Sequence, residues 1–89
     1  MGSARESPVS HEAVLQIVAS HAGLSPAEVP GDRSLSDLGV SSFGIMRIVL
    51  AFEEQFDMEF SGEALRELTI VPVSRLQELV EHARASSSD

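Results

Sequence analysis

The sequence predicts an all-α fold, a four-helix bundle with three longer helices, one short helix and a long ordered loop between helices 1 and 2. Three observations predict it. Apolar residues recur at helical spacing, no alternating strand pattern persists, and Ser, Gly and Pro stand at the expected helix ends. The chain has 89 residues, 43% of them hydrophobic, which suits one domain with a modest core.

Helix 1 is predicted from the N-cap Ser10 to Gly23, a residue type that commonly ends helices. The connection that follows spans residues 24–41. It holds a short helical-turn signature at residues 25–28, with Ser as cap and Pro at the first position. Apolar residues are spread along the connection, and we expect them to pin it across the bundle as an ordered strap. These residues are Leu24, Val29, Leu35, Leu38 and Val40.

Helix 2 is predicted from Ser41 or Ser42 to Phe56, and it is apolar over much more than one face. A helix of this kind is central to the bundle, or it uses part of its exposed side for binding. Met46 and Leu50 lie four residues apart on one face. The sequence leaves open whether these two side chains pack in the core or contact partners and cargo.

The short helix 3 is predicted over residues 62–68, with Ser61 as a possible cap. Helix 4 is predicted to begin at Val73 or Ser74, with its apolar face formed by Leu76, Leu79, Val80 and Ala83. We therefore expect a flexible N-terminus at residues 1–9, a folded domain at residues 10–85 and a flexible tail at residues 86–89.

Composition and charge exclude several classes of function. The absence of cysteine removes disulfides, thiolate metal sites and cysteine nucleophiles. The net charge is −8, and all six basic residues are arginines. Such a surface repels nucleic acids and anionic membranes and attracts proteins with basic docking faces. Because no long apolar run or signal-peptide pattern is present, we expect a cytoplasmic protein. We also expect a monomer.

The most informative segment is Asp37-Leu38-Gly39-Val40-Ser41-Ser42-Phe43, which leads directly into the apolar helix to Phe56. This segment resembles the acyl carrier and peptidyl carrier protein family, whose pattern is roughly Asp-Leu-Gly-x-Asp-Ser-Leu followed by a helix of similar length. Gly39 and Phe43 stand in the family's register around Ser42. The resemblance covers about residues 11–83.

The resemblance implies that Ser42 receives a 4′-phosphopantetheine arm from coenzyme A through a phosphodiester bond. The thiol of the arm would then hold an acyl or aminoacyl group as a thioester. It implies a non-catalytic carrier served by a phosphopantetheinyl transferase, an acyl- or aminoacyl-loading enzyme, and downstream condensing, modifying or transferring enzymes. No catalytic residue is expected in the chain itself.

The residues themselves support Ser42 and also leave alternatives. A serine at a helix N-terminus is exposed, and a phosphodiester there would meet the positive end of the helix dipole. An isolated serine at that place would more commonly be a helix cap. Ser41 is the second candidate for attachment, although Gly39 and Phe43 would then be out of register.

Partner enzymes are expected to dock on helix 2 and the loop before it. The predicted docking residues are Leu38, Val40, Ser41, Phe43, Met46, Arg47, Leu50, Glu53 and Glu54. Ser41 and Arg47 stand where many fatty-acid carriers have acidic residues. This difference favours a specialised pathway of polyketide or nonribosomal peptide type over a housekeeping fatty-acid carrier. The glycine at position 44 indicates either a close approach by the arm or a partner, or simple tolerance near the helix start.

Other functions fit less well. Neither Ser41 nor Ser42 has both glycines of the Gly-x-Ser-x-Gly hydrolase motif. No His-x-x-x-His spacing exists, and the acidic residues after Phe52 lack the EF-hand pattern, so no metal site is predicted. An unmodified helical module for protein–protein interaction, with the same fold and no arm, remains the alternative.

Overall fold

A computed structural model describes residues 8–87 and confirms the four-helix bundle with a long loop after the first helix. Helix α1 spans His11–Ala22, α2 spans Ser42–Phe56, α3 spans Gly62–Leu68 and α4 spans Leu76–Ser87. Two 3₁₀ turns lie at Pro26–Glu28 and Val73–Arg75. The first was expected from the Ser-Pro signature, and the second leads into α4 from the residue at which helix 4 was predicted to begin.

Serine side chains begin three of the helices. The hydroxyl oxygens of Ser10, Ser41 and Ser61 each accept the backbone N–H three residues later at 3.1 Å. Left-handed residues end two of them, Gly23 with φ 74° after α1 and Asp57 with φ 53° after α2. These caps satisfy backbone groups that a helix end leaves unpaired, so local sequence sets where the helices start and stop.

The core lies between the helices and is built from aliphatic side chains around three phenylalanines. The Phe52 ring lies 6.1 Å from that of Phe56 and 6.2 Å from that of Phe60, between ring centroids. The largest fully buried side chains are Phe52, Phe56, Leu35, Ile48, Leu68, Leu76, Val14, Val18, Val73 and Val80. Only one face of α2 is buried, although most of its circumference is apolar.

The long connection between α1 and α2 is anchored to the bundle in two ways. Val29 and Leu35 are buried in the core, as expected of strap residues, whereas Leu24 is exposed. The loop also accepts two hydrogen bonds at the start of the α4 segment, from Val73 N–H to the Arg33 carbonyl at 2.9 Å and from Ser74 N–H to the Gly31 carbonyl at 3.0 Å. Apolar burial and hydrogen bonding together hold the segment that leads to α2.

The expected division into a folded domain at residues 10–85 and flexible ends is a prediction that the described residues do not test. Helix α4 continues through Ser87, so the two described residues of the predicted tail are helical. Residues 1–7 and 88–89 lie outside the described residues, and the flexibility of the ends at 1–9 and 86–89 stays a prediction. None of the helices within residues 8–87 has the length and apolar character needed to cross a membrane.

Candidate functional site

The segment before α2 forms a tight helical turn closed by Gly39. The Ser34 hydroxyl accepts the Asp37 N–H at 3.1 Å, and an Asp37 carboxylate oxygen accepts the Ser34 N–H at 3.4 Å. The turn ends with bonds from Gly39 N–H to the Ser36 carbonyl and from Val40 N–H to the Leu35 carbonyl. This is the Schellman arrangement, which requires a left-handed residue, and Gly39 has φ 81°. The glycine therefore turns the chain sharply into α2.

Ser41, and not Ser42, is the N-cap of α2. Its backbone is extended, its hydroxyl accepts the Gly44 N–H at 3.1 Å and its carbonyl accepts the Ile45 N–H at 2.8 Å. Ser42 is the first helical residue and is exposed. Its hydroxyl makes no hydrogen bond to any of residues 8–87. The interpretation of Ser42 as a helix cap is therefore wrong, because its neighbour does that work and leaves the Ser42 oxygen free.

The surroundings of Ser42 suit an anionic substituent. The backbone N–H groups of Ser42 and Phe43 donate no hydrogen bond within the described part of the chain, and no acidic residue lies in the first turn of α2. Free N–H groups and the helix dipole give this end a partial positive charge. A phosphodiester on the Ser42 oxygen fits this environment because its charge would meet donors and no nearby carboxylate of the same turn.

A stripe of exposed apolar side chains follows Ser42 along α2. Phe43, Met46 and Leu50 are 71%, 58% and 57% exposed. The guanidinium of Arg47 lies 5.8 Å from the centroid of the Phe43 ring, within cation–π distance. Core packing, one of the two alternatives that the sequence left open for Met46 and Leu50, is therefore wrong. We call these four residues the α2 stripe.

The other predicted docking residues lie in different surroundings. Leu38 and Val40 are half-buried and pack against the core, so they support the loop more than they present a surface. Glu54 is exposed. Glu53 is half-buried, and its Oε2 accepts the Phe60 N–H at 3.0 Å, which ties the α2–α3 connection to α2.

Two features escaped the sequence analysis. Ser34 is buried and pairs with Asp37, and a signal existed in the Ser-x-x-acid spacing typical of a capping box. Ile70 is 71% exposed in the α3–α4 connection, where no periodic pattern marks it. Elsewhere in residues 8–87, no three His, Asp or Glu side chains are placed to hold a metal ion.

A groove of about 460 Å³ lies between α3 and α4. None of its lining residues belongs to α2 or to the loop before it, and they are Glu59, Phe60, Ser61, Glu63, Ala64, Glu67, Leu79, His82, Ala83 and Ser86. The groove is thus separate from the start of α2, where Ser41, Ser42 and Phe43 are exposed.

An exposed helix-start serine with a separate cap, beside an exposed apolar stripe, defines a small helical domain suited to carry a covalent group. Comparison with known families agrees with this class. The family described as "Phosphopantetheine attachment site" matches residues 12–82, most of the chain, and the protein belongs to that family. It is a carrier protein that bears covalently attached 4′-phosphopantetheine. Domains of this family generally tether intermediates without catalysis, and they interact with a phosphopantetheinyl transferase and with partner enzymes.

Proposed function

We propose that Ser42 is the attachment residue and that the chain is a non-catalytic carrier of acyl or aminoacyl thioesters. The observation that carries this proposal is the free, exposed Ser42 hydroxyl next to a serine that is already engaged as the helix cap. In the attachment step, the Ser42 oxygen loses its proton and forms a bond to phosphorus. The pyrophosphate bond of coenzyme A breaks, and adenosine 3′,5′-bisphosphate leaves.

The chain's own residues position Ser42. The Gly39 turn and the Ser41 cap place the hydroxyl at the protein surface, and the unpaired N–H groups at the start of α2 favour the phosphodiester charge. The attached arm supplies the thiol that a chain without cysteine lacks. The cargo-forming and cargo-consuming steps fall to the partner enzymes.

The α2 stripe is proposed as the surface on which these enzymes dock. Three large apolar side chains in a row, each more than half exposed, are unusual in a monomeric domain and typical of an interaction site. The stripe begins one residue after Ser42, so a partner bound to it has the attachment site at its edge. Glu54 continues the same helix face one turn beyond Leu50 and offers an acidic contact.

We assign the carrier to a specialised pathway of polyketide or nonribosomal peptide type. Two departures from the pattern of fatty-acid carriers support this assignment, the neutral cap Ser41 and the cation Arg47, which lies in the docking stripe. A housekeeping fatty-acid carrier is the alternative. Monomeric state and cytoplasmic location also stay predictions.

Intact mass spectrometry tests the attachment residue. After incubation with coenzyme A and a broad-specificity phosphopantetheinyl transferase, the wild-type chain should gain about 340 Da, the mass of the arm. The gain should vanish in Ser42→Ala and persist in Ser41→Ala, the matched control one residue away. A gain in Ser42→Ala would refute the assignment of the site. No gain in the wild type with any transferase would favour the unmodified interaction module.

A further inference from the structure

Gly44 is the third residue of α2, and its backbone does not require glycine. Among the described glycines only Gly23 and Gly39 have positive φ, so any residue could adopt the conformation of position 44. Glycine costs about 0.5–1 kcal/mol relative to alanine inside a helix. A glycine at this place therefore needs another reason.

That reason is the close approach of Val40. A Cβ atom built on Gly44 would lie 2.8 Å from Val40 Cγ1 and 3.5 Å from Ser41 Oγ, where ordinary contact begins at 3.4 Å. The loop residue Val40 thus rests directly on the bare backbone of the first turn of α2. The same glycine also donates its N–H to the Ser41 cap.

Val40 has little freedom to move aside. Its branched side chain is stiff about χ1, it packs against the hydrophobic core, and its N–H is bonded to the Leu35 carbonyl at 3.3 Å. A methyl group at position 44 would have to push Val40 away by about 0.6 Å to reach ordinary contact. Because Ser41 and Ser42 follow Val40 directly, that displacement would reach the attachment residue.

We infer that Gly44 is a positioning residue for phosphopantetheine transfer: its missing side chain seats Val40 on the helix start, and this contact sets the direction of the Ser42 hydroxyl. The inference rests on the proposed attachment at Ser42. It replaces both earlier explanations of the glycine, close approach by the arm or a partner and simple tolerance, with a contact inside the chain itself.

Transfer kinetics with coenzyme A and one broad-specificity transferase test the inference. Gly44→Ala should lower kcat about tenfold and change KM little, since a misplacement of about 1 Å can cost on the order of a hundredfold. Its thermal unfolding midpoint should fall, because the displacement of Val40 opposes the better helix propensity of alanine. A purely structural role would lower the midpoint in the same way but leave the rate of the folded protein unchanged.

Removal of the opposing Val40 methyl groups tests whether the clash causes the loss of rate. The kcat of the double variant Val40→Ala/Gly44→Ala should lie within about threefold of that of Val40→Ala alone, because the clash has lost its second atom. Gly62→Ala is the matched control, since Gly62 also lies at a helix start and a Cβ there meets nothing within 4 Å. It should transfer at the wild-type rate.

The outcomes separate the two proposals. A wild-type kcat in Gly44→Ala, or a double variant about tenfold slower than Val40→Ala, would overturn the positioning role while leaving Ser42 as the site. A mass gain that survives in Ser42→Ala would overturn the site itself. If Gly44→Ala fails to fold, the comparison of the double variant with Val40→Ala decides, because equal rates support the contact and a tenfold slower double variant refutes it.

Discussion

Leu35 and Leu50 carry the same side chain in opposite surroundings, so the same substitution at both separates stability from docking. Leu35 lies in the long loop and is fully buried, whereas Leu50 is 57% exposed on α2. Replacement of a buried leucine by alanine costs about 2.7–5.0 kcal/mol. A small domain has roughly 5–15 kcal/mol of stability in total. Leu35→Ala should therefore remove a large share of it, although its residue lies outside every helix.

The magnitudes follow from these surroundings. A loss of about 3 kcal/mol lowers the unfolding midpoint of a domain of this size by roughly 12–24 °C. Leu50→Ala should change the free energy of unfolding by less than about 0.5 kcal/mol. At a partner interface, however, an exposed leucine that becomes buried contributes on the order of 1 kcal/mol. Leu50→Ala should thus lower kcat/KM of the transferase about fivefold.

Urea unfolding followed by circular dichroism measures the first effect, and transfer kinetics well below the unfolding midpoint measure the second. A loss below about 1 kcal/mol in Leu35→Ala would show that the loop is not anchored through its buried leucine. A large loss of stability in Leu50→Ala would show that the stripe packs inside the molecule. Either result would refute the proposal that the loop between α1 and α2 supports the fold while the α2 stripe binds partners.

Three further predictions concern single residues. Gly39→Ala should cost about 1–2 kcal/mol in urea unfolding, because the Schellman turn holds φ at 81°; an unchanged midpoint would contradict the left-handed turn. Glu53→Ala should cost about 1.5–3 kcal/mol through loss of its bond to the Phe60 N–H, whereas Glu54→Ala, its exposed neighbour, should cost under about 0.5 kcal/mol. Arg47→Glu places an acid in the α2 stripe and should raise the rate of loading by fatty-acid synthesis enzymes about tenfold, roughly the effect of 1.4 kcal/mol. No gain in the loading assay would argue against Arg47 as a specificity residue.

Helix positions were predictable from the sequence because their signals are local. Ser10 and Ser61 cap helices through atoms three residues away, and the apolar face of α4 is readable from its spacing. Each of these inferences needs only a few neighbouring residues. The assignment of Ser42 rests instead on the resemblance to carrier proteins, through the register of Gly39 and Phe43, and it stays a prediction.

The features that the sequence left open depend on contacts that local spacing does not reveal. Nothing in the spacing shows that Val40 rests on Gly44, or that the Glu53 carboxylate reaches a backbone group seven residues away. The apolar excess of α2 was visible, but which side chains face solvent depends on how the other helices pack around it. Met46 is exposed, whereas Ile48, only two residues later, is fully buried.

The paired serines lead to a last prediction, about the stability of the modified protein. The hydroxyl of a helix cap turns back toward the helix, whereas an esterified hydroxyl points outward. A single serine in both roles would therefore lose its cap, worth about 1 kcal/mol, on modification. Because Ser41 holds the cap, attachment at Ser42 leaves that bond intact. The added negative charge then lies at the positive end of α2 and should stabilise the holo form by about 0.3–1 kcal/mol at low ionic strength.

Urea unfolding of the apo and holo forms at low and high salt measures this difference. The gain should fade as salt rises, because an exposed charge at a helix end is screened. Ser41→Ala provides the control. Without the cap, its apo and holo forms should each be about 1 kcal/mol less stable than the corresponding wild-type forms, and modification should stabilise the variant by the same amount as the wild type. A holo form less stable than the apo form would mean that the modified oxygen is a cap after all, and that the two serines do not divide these roles.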